Sequence, residues 1–276
     1  MQTGKIIKYV AITLAIVLII NIFALLFEIV SGFGTFLDFN DSKKELETKY
    51  DLKINSEDIT NNDVKFIINH LDIELNSSKL TFKEADNFKI DTNNDNVVIK
   101  EEGNKISIKE KKVFLKNNKN SETIIYLPKG YIFDTIDIEM GAGVFNADVI
   151  NVQKISFDMG AGVTTINYLN ATKEADIETG AGKFTVKNST IGYVDLDLGV
   201  GAVSINGDIL GGDINAGIGS LDMTLNGTKD DYKFIINKGI GNIKINNESV
   251  SNGTYNYGNI TFKIDGGIGT INVNTK

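Results

Sequence analysis

Residues Glu178 to Thr185 read ETGAGKFT. A lysine behind Gly-Ala-Gly, with a threonine two places on, combines the residue types that cradle a nucleotide phosphate: glycines for close backbone approach, an ammonium for the charge and a hydroxyl for the metal. The spacing does not carry that chemistry. A phosphate loop needs G-x-x-x-x-G-K-[ST] between a strand and a helix. With Lys183 as its lysine, the first glycine falls on Ile177, and Phe184 stands where the hydroxyl is required. The following KFTVKN alternates as a strand. A dinucleotide fingerprint fails as well, because no helical pattern follows any Gly-x-Gly. No nucleotide and no cofactor is expected.

Other chemistry is equally constrained. The chain has a single histidine, His70, and no cysteine, so neither a usual zinc site nor a Ser-His-Asp triad can be assembled. No catalytic, cofactor-binding or metal-binding residue is assigned. All 28 basic residues are lysine against 36 acidic ones, a formal charge of −8. A chain without arginine lacks the planar donor fork of base and phosphate recognition, which excludes nucleic acid as a partner.

Two charged groups stand out. Asp137, Glu139, Asp158, Asp176, Glu178, Asp195, Asp197 and Asp213 recur along the chain. Calcium is the sharp reading of such a series, but glycine-aspartate nonapeptide repeats put aspartate after the glycines at a nine-residue period, and neither feature is present here. A solvated acidic face is the expectation. Acid-base work on a polysaccharide would need one carboxyl in a cleft, which a regular exposed series does not provide, so the chain is not expected to be an enzyme. Lys105, Lys109, Lys111, Lys112, Lys116 and Lys119 form a basic stretch, read as a solvated loop rather than a lipid or wall-polymer contact.

These residues are positioned by a repeat. Gly-x-Gly recurs with first glycines at 141, 160, 180, 199, 217, 239 and 267, at intervals of 19, 20, 19, 18, 22 and 28 residues. Three residues before each stands an apolar side chain (Ile138, Phe157, Ile177, Leu196, Ile214, Ile236, Ile264), and four after it another core candidate (Phe145, Thr164, Phe184, Val203, Leu221, Ile243, Ile271). Apolar and polar residues alternate on both sides of the glycines, which is the period of a strand. Each unit is therefore strand, glycine bend, strand, with no room for a helix. The expected fold is all-β: a parallel β-solenoid, or β-helix, of about seven Gly-x-Gly rungs. The residue between the glycines drifts from Ala142 to Ile268 and is expected to point inward. The longer last interval contains NESVSNGTYNYG, expected to fold over the terminal rung. EEGNKI around Gly103-Asn104 has hairpin character.

The chain opens MQTGKIIKYVAITLAIVLIINIFALLFEIV, uncharged from residue 9 to 27. A helix of that length covers about 28 Å, the thickness of a bilayer's hydrocarbon core. The run is long for a cleaved signal peptide and lacks a small-x-small site, so an uncleaved anchor is expected. Lysines precede it and carboxylates follow, which places the N-terminus in the cytoplasm and the remainder outside. Asp41 to Tyr50 has short helical character within a polar stalk.

The sequence LDIELNSSKLTFKEADNFKIDTNND, then GNKISIKEKK, then IIYLPKGYIFDTIDIEMGAG and the serial Gly-x-Gly units, resembles the bacterial putative-adhesin family, a β-strand-repeat domain of unknown function. The resemblance covers about Asn69 to Thr275. It implies a membrane-anchored β-repeat module with no catalytic residues to carry over, and in some members an association with envelope stress. The expected organisation is a transmembrane anchor over 1–33, a linker or stalk over 34–62, an N-terminal β capping region over 63–130 and the β-solenoid over 131–276. The expected function is a non-enzymatic adhesion, interaction or scaffold module of the cell envelope, on a single-pass protein whose partners are the membrane and a protein or wall-polymer ligand. An envelope-stress accessory role is the alternative, and a polysaccharide-active enzyme the third reading.

Overall fold

The computed structural model describes residues 45–52, 68–111 and 121–276, and they form an all-β structure. The expected transmembrane helix and most of the stalk lie outside these residues. Among the described residues no helix is long and apolar enough to cross a membrane. The one helical turn among the described residues is a 3-10 turn at Lys229–Asp231.

The centre of the structure is a continuous parallel coil. β7 (Phe133–Val186) runs unbroken through three Gly-x-Gly corners, followed by the short β8 (Ser189–Ile191), then β9 (Val194–Ile209) and β10 (Gly212–Leu225). Equivalent residues stack rung on rung: Ile177 pairs with Leu196 and Leu196 with Ile214, while Phe184 pairs with Val203 and Val203 with Leu221. Both predicted apolar columns are in the core, with Ile177 and Leu196 fully buried and Phe184 2% exposed. Phe82, Phe145, Phe157 and Phe184 continue through successive rungs, ring centroids 5.0, 5.8 and 5.3 Å apart. Burying each such ring stabilises the fold by roughly 1.5–3 kcal/mol.

The corners explain the glycines. Gly182 has φ +139°, and a Cβ on it would lie 1.9 Å from the carbonyl oxygen of Gly162 in the rung beneath. A Cβ on Gly180 would lie 2.1 Å from the oxygen of Gly160. Both the backbone conformation and the close stacking therefore exclude a side chain.

One expectation about this corner is corrected. Ala142, Ala161, Ala181, Val200 and Ile218 are half-exposed, and Ile268 and Ile240 are exposed at 41% and 85%, so the residue between the glycines points outward. Along the corner, buried Ile138 and Met140 are followed by exposed Gly141 and half-exposed Ala142 before buried Gly143 and Phe145. The bend consumes one extra residue, so the alternation slips and both strand segments can face the core.

The two ends of the coil share a design. At the C-terminal end, β11 (Tyr232–Asn237) and β12 (Asn242–Ile245) carry the Gly239 corner; β13 (Glu248–Val250) and β14 (Gly253–Tyr255) follow; β15 (Ile260–Asp265) and β16 (Ile268–Thr275) carry the Gly267 corner. β15 pairs in parallel with both β10 and β11, and β16 with both β10 and β12. The last rung in sequence is thus inserted beneath the one before it. The expected order of the final rungs is corrected: Gly217, then Gly267, then Gly239. Asn246 and Asn247, with φ of 50° and 67°, turn the chain directly from β12 into β13, which pairs antiparallel with β12 on its outer side. That outer edge is taken, so the returning β15–β16 segment fits only on the inner edge. β14 pairs antiparallel with β11, so Glu248–Tyr255 does cover the end of the coil, though over the sixth Gly-x-Gly rung and not the seventh.

The N-terminal end mirrors this. β2 (His70–Ala85) stacks in parallel on β7, with Glu74 on Glu139 and Leu80 on Phe145, and is itself a rung of the coil. β3 (Phe88–Thr92) and β4 (Val97–Glu102) come next, then β5 (Lys105–Glu110) and β6 (Glu122–Pro128). β5 and β6 pair in parallel with the outer side of β2, and are covered antiparallel by β4 and β3. The expected hairpin at Gly103-Asn104 joins β4 to β5. The helical reading of Asp41 to Tyr50 is corrected over Glu47 to Tyr50, while residues 41–44 lie outside the described residues: β1 (Glu47–Leu52) is a strand on β3, its Tyr50 ring 6.0 Å from Phe88. Packing Tyr50 and Leu52 on that edge outweighs a weak local helical preference.

Gly182→Ala places a methyl group against a backbone carbonyl at a positive φ and is expected to cost about 2–5 kcal/mol, read from the urea unfolding midpoint. Deleting Glu248 to Asn256 uncovers the outer edges of β11 and β12. The truncated chain is expected to elute as higher oligomers on size exclusion, and monomeric elution would count against a protective role.

Candidate interaction face

The first strand of each rung presents its polar residues on one outer face, and parallel register aligns them. Asp72 lies beside Asp137 and Glu74 beside Glu139. Further along, Asp176 lies beside Asp195 and Asp195 beside Asp213, and Glu178 beside Asp197. All eight carboxylates singled out in the sequence point outward on this face. Aligned neighbours in a parallel sheet are roughly 4.8 Å apart, close enough for like charges to repel.

The ends of the strip are neutralised. Lys105 Nζ lies 2.7 Å from the carboxylate of Asp72, Lys109 lies 3.5 Å from it and also binds Glu74. At the other end Lys263 Nζ is 3.3 Å from Asp213. Two of the six lysines of the basic stretch are therefore committed to the coil, while Lys112, Lys116 and Lys119 lie outside the described residues. Between these clamps Asp137, Glu139, Asp158, Asp176, Glu178, Asp195 and Asp197 have no lysine within ion-pair distance among the described residues. Lys154 binds the nearby Glu174 at 2.7 Å.

The electrostatics follow. Burial, reinforced by the neighbouring carboxylates, raises the carboxyls of Asp137, Asp176 and Asp195 above the ordinary aspartate value of 3.8. For Asp195 those neighbours are Asp176, Asp197 and Asp213. Burial pulls Asp72 upward too, but Lys105 and Lys109 outweigh it and leave that carboxyl below 3.8.

Nothing in this arrangement resembles a catalytic constellation. His70 Nδ1 is 2.5 Å from Thr135 Oγ1, a contact between neighbouring rungs. Among the described residues no group of three or more histidine, aspartate or glutamate side chains is placed to hold a metal ion. A groove of about 370 Å³ beside β11 is lined by Asp208, Leu210, Asp231 and Tyr232, but the Asp231 carboxylate already accepts from the backbone and hydroxyl of Thr228. Lys183, whose type first suggested phosphate binding, is an exposed residue aligned with Ala202.

Sequence reasoning missed two surface features. One is the outward row Val200, Ile218, Ile268, Ile240, whose signal is the odd seven-residue spacing between the two apolar columns that flank the corner. The other is the charge of β11 and β12: Tyr232 to Asn246 contains three lysines and no carboxylate, a signal visible in the sequence.

Because Asp137, Asp176 and Asp195 have raised values in the folded state, their contribution is favourable when protonated and is lost as pH rises through those values. Thermal stability is expected to increase as pH falls from 7 toward the region just above 3.8. Below 3.8 the lowered carboxyl of Asp72 acts in the opposite sense, and its stabilising ion pairs are lost. Asp195→Asn should raise the melting temperature at pH 7 and flatten this slope, checked by calorimetry across the range.

Comparison with solved structures returns matches of low identity. A putative cell adhesion protein from Clostridium sporogenes is similar at 19% identity and a TM-score of 0.35, covering 84% of this chain and 100% of that one. A putative adhesin from Bacteroides fragilis is similar at 15% identity and a TM-score of 0.42, over 84% and 98%. A third, a putative adhesin from Parabacteroides distasonis, has 12% identity and a TM-score of 0.35, over 85% and 98%. The comparison with curated proteins returned no match. Residues 68–266, from the edge of the first parallel rung to the last glycine corner, match the Toastrack DUF4097 family, so the chain is a member of that family, in agreement with its resemblance to the putative-adhesin repeat domain.

Proposed function

We propose that the chain is a non-enzymatic interaction or scaffold module of the cell envelope. In this reading a single N-terminal transmembrane helix, its N-terminus in the cytoplasm, holds an extracytoplasmic solenoid of about seven Gly-x-Gly rungs. The ligand is a protein or wall polymer presenting regularly spaced positive charge. The observation that carries the reading is the unneutralised acidic strip. Its carboxylates are held in register at a cost in folded stability, and neutralisation by a cationic partner relieves that cost. A rigid ladder with one or two carboxylates per rung also offers repeated similar contacts, so weak individual pairs sum to useful avidity. The 19-residue apolar run and its flanking charges support the anchored topology.

The test is co-sedimentation of the full-length protein, in mild detergent, with purified cell-wall material and with immobilised cationic peptides. Binding is expected to be salt-sensitive and to fall at least tenfold when Asp176, Glu178, Asp195 and Asp197 are replaced by their amides. Binding that survives those four substitutions overturns the assignment to this face. Release of reducing ends from wall material would instead support an enzyme.

A further inference from the structure

We propose that the C-terminal end of the coil, the β11–β12 rung with the Tyr257 loop, is a docking surface for an anionic lipid bilayer. Charge changes sign along the coil. Phe133 to Leu225 carry thirteen carboxylates against four lysines. Tyr232 to Asn246, the outermost rung, carry Lys233, Lys238 and Lys244 and no carboxylate, with exposed Asp230, Asp231 and Glu248 at its borders. None of those three lysines has a carboxylate within ion-pair distance among the described residues. An anionic surface therefore attracts this end and repels the acidic face, which orients the contact.

The same end exposes apolar groups. Ile240 is 85% and Tyr257 86% exposed, the two most exposed large apolar side chains among the described residues. Ile240 belongs to the outward row in which Ile268 stacks on Ile218 and Ile218 on Val200, so the apolar ridge is highest at the basic end. Glycines flank each of these residues, leaving the isoleucines to project from bare backbone. Lysines on the same rung as the protruding Ile240, with exposed Tyr257 in the loop beside Tyr232, form the composition of an interfacial membrane contact: the ammonium groups meet phosphate headgroups while the apolar groups enter the acyl boundary. A soluble anionic polymer would satisfy the lysines and leave Ile240 and Tyr257 in water, which is why the occupant assigned is the bilayer.

The chain has no tryptophan, so Tyr257→Trp introduces a single reporter. The full-length variant is reconstituted into vesicles of phosphatidylcholine alone or with phosphatidylglycerol, each with a brominated acyl chain as quencher. The expected result is quenching and a blue shift that require phosphatidylglycerol and weaken at least about tenfold in the added Lys238→Glu, Lys244→Glu background. Tyr168→Trp, in the body of the coil, should remain unquenched. Flotation with pure phosphatidylcholine reports the N-terminal anchor separately, so loss of anchoring and loss of the docking contact are distinguishable. Quenching equal in both vesicle types, no quenching in either, a signal that follows protein density instead of lipid charge, or a shift produced by soluble polyphosphate without bromolipid quenching would each overturn the proposal.

Discussion

The carbonyl oxygen of one corner occupies the space where the next corner's Cβ would stand, and the rest of the coil depends on that constraint. The relation holds from Gly141 over Asn76 through Gly160, Gly180, Gly199 and Gly217 to Gly267, and finally Gly239 over Gly266 and Gly267. It explains where the glycine column starts. β2 has Asn76-Ser77-Ser78 at its corner, and among the described residues no strand passes beneath it: β5 ends at Glu110 and β6 begins at Glu122. The Glu110 carboxylate sits there instead, accepting from the Asn76 backbone amide at 2.8 Å and the Asn94 carboxamide at 2.8 Å. The spacing of the rungs, the positive φ of the second glycine and the slip in alternation are consequences of one close backbone approach.

A stack of this kind leaves two unpaired ends, and both are closed by the same device. An inner rung and an outer rung are joined through two short antiparallel strands that cover the outer rung: β3 and β4 at one end, β13 and β14 at the other. In each case a two-residue turn, Gly103-Asn104 or Asn246-Asn247, occupies the outer edge locally and leaves the inner edge to the distant partner. The inner position carries two parallel ladders and is the more strongly held. At the C-terminal end it is filled by residues far apart in sequence from their β10 partners. The covering strands are short, and β1 and β4 expose Glu47, Lys49, Lys100 and Glu101, charges that discourage further pairing.

Much of this was legible from residue order, and the failures are instructive. The columns Ile177–Leu196–Ile214 and Phe184–Val203–Leu221 were visible because strand alternation and a near-constant interval both report the same core. The outward position of Ile240 was not, because alternation counted across the corner assigns it to neither face. The insertion of Gly267 beneath Gly239 was also hidden. The chemistry of the two rungs is interchangeable, and their order is decided by the Asn246-Asn247 turn, a local signal with a non-local effect. Tyr50 falls at the end of the segment with helical character because its partner, Phe88, is distant in sequence. For the acidic face the residues were read correctly, but the clamps were not: the pairing of Lys105 and Lys109 with Asp72 and Glu74 depends on β5 stacking beneath β2, which no motif announces.

The core and the surface therefore answer to different constraints. Every inward position is dictated by stacking, and the family match reports that stacking alone, since function resides in what a fold displays. The outward positions are free of it, and they are not random. Lysine appears beside the acidic strip at its two ends, at Lys105, Lys109 and Lys263, and is absent from the aligned positions between. Had folding stability governed this face, lysines alternating with the carboxylates would have relieved the repulsion at every rung, as they do at Asp72. The repulsion retained at Asp137, Asp176 and Asp195 serves no packing purpose, and that is the ground on which a binding role is proposed for the strip.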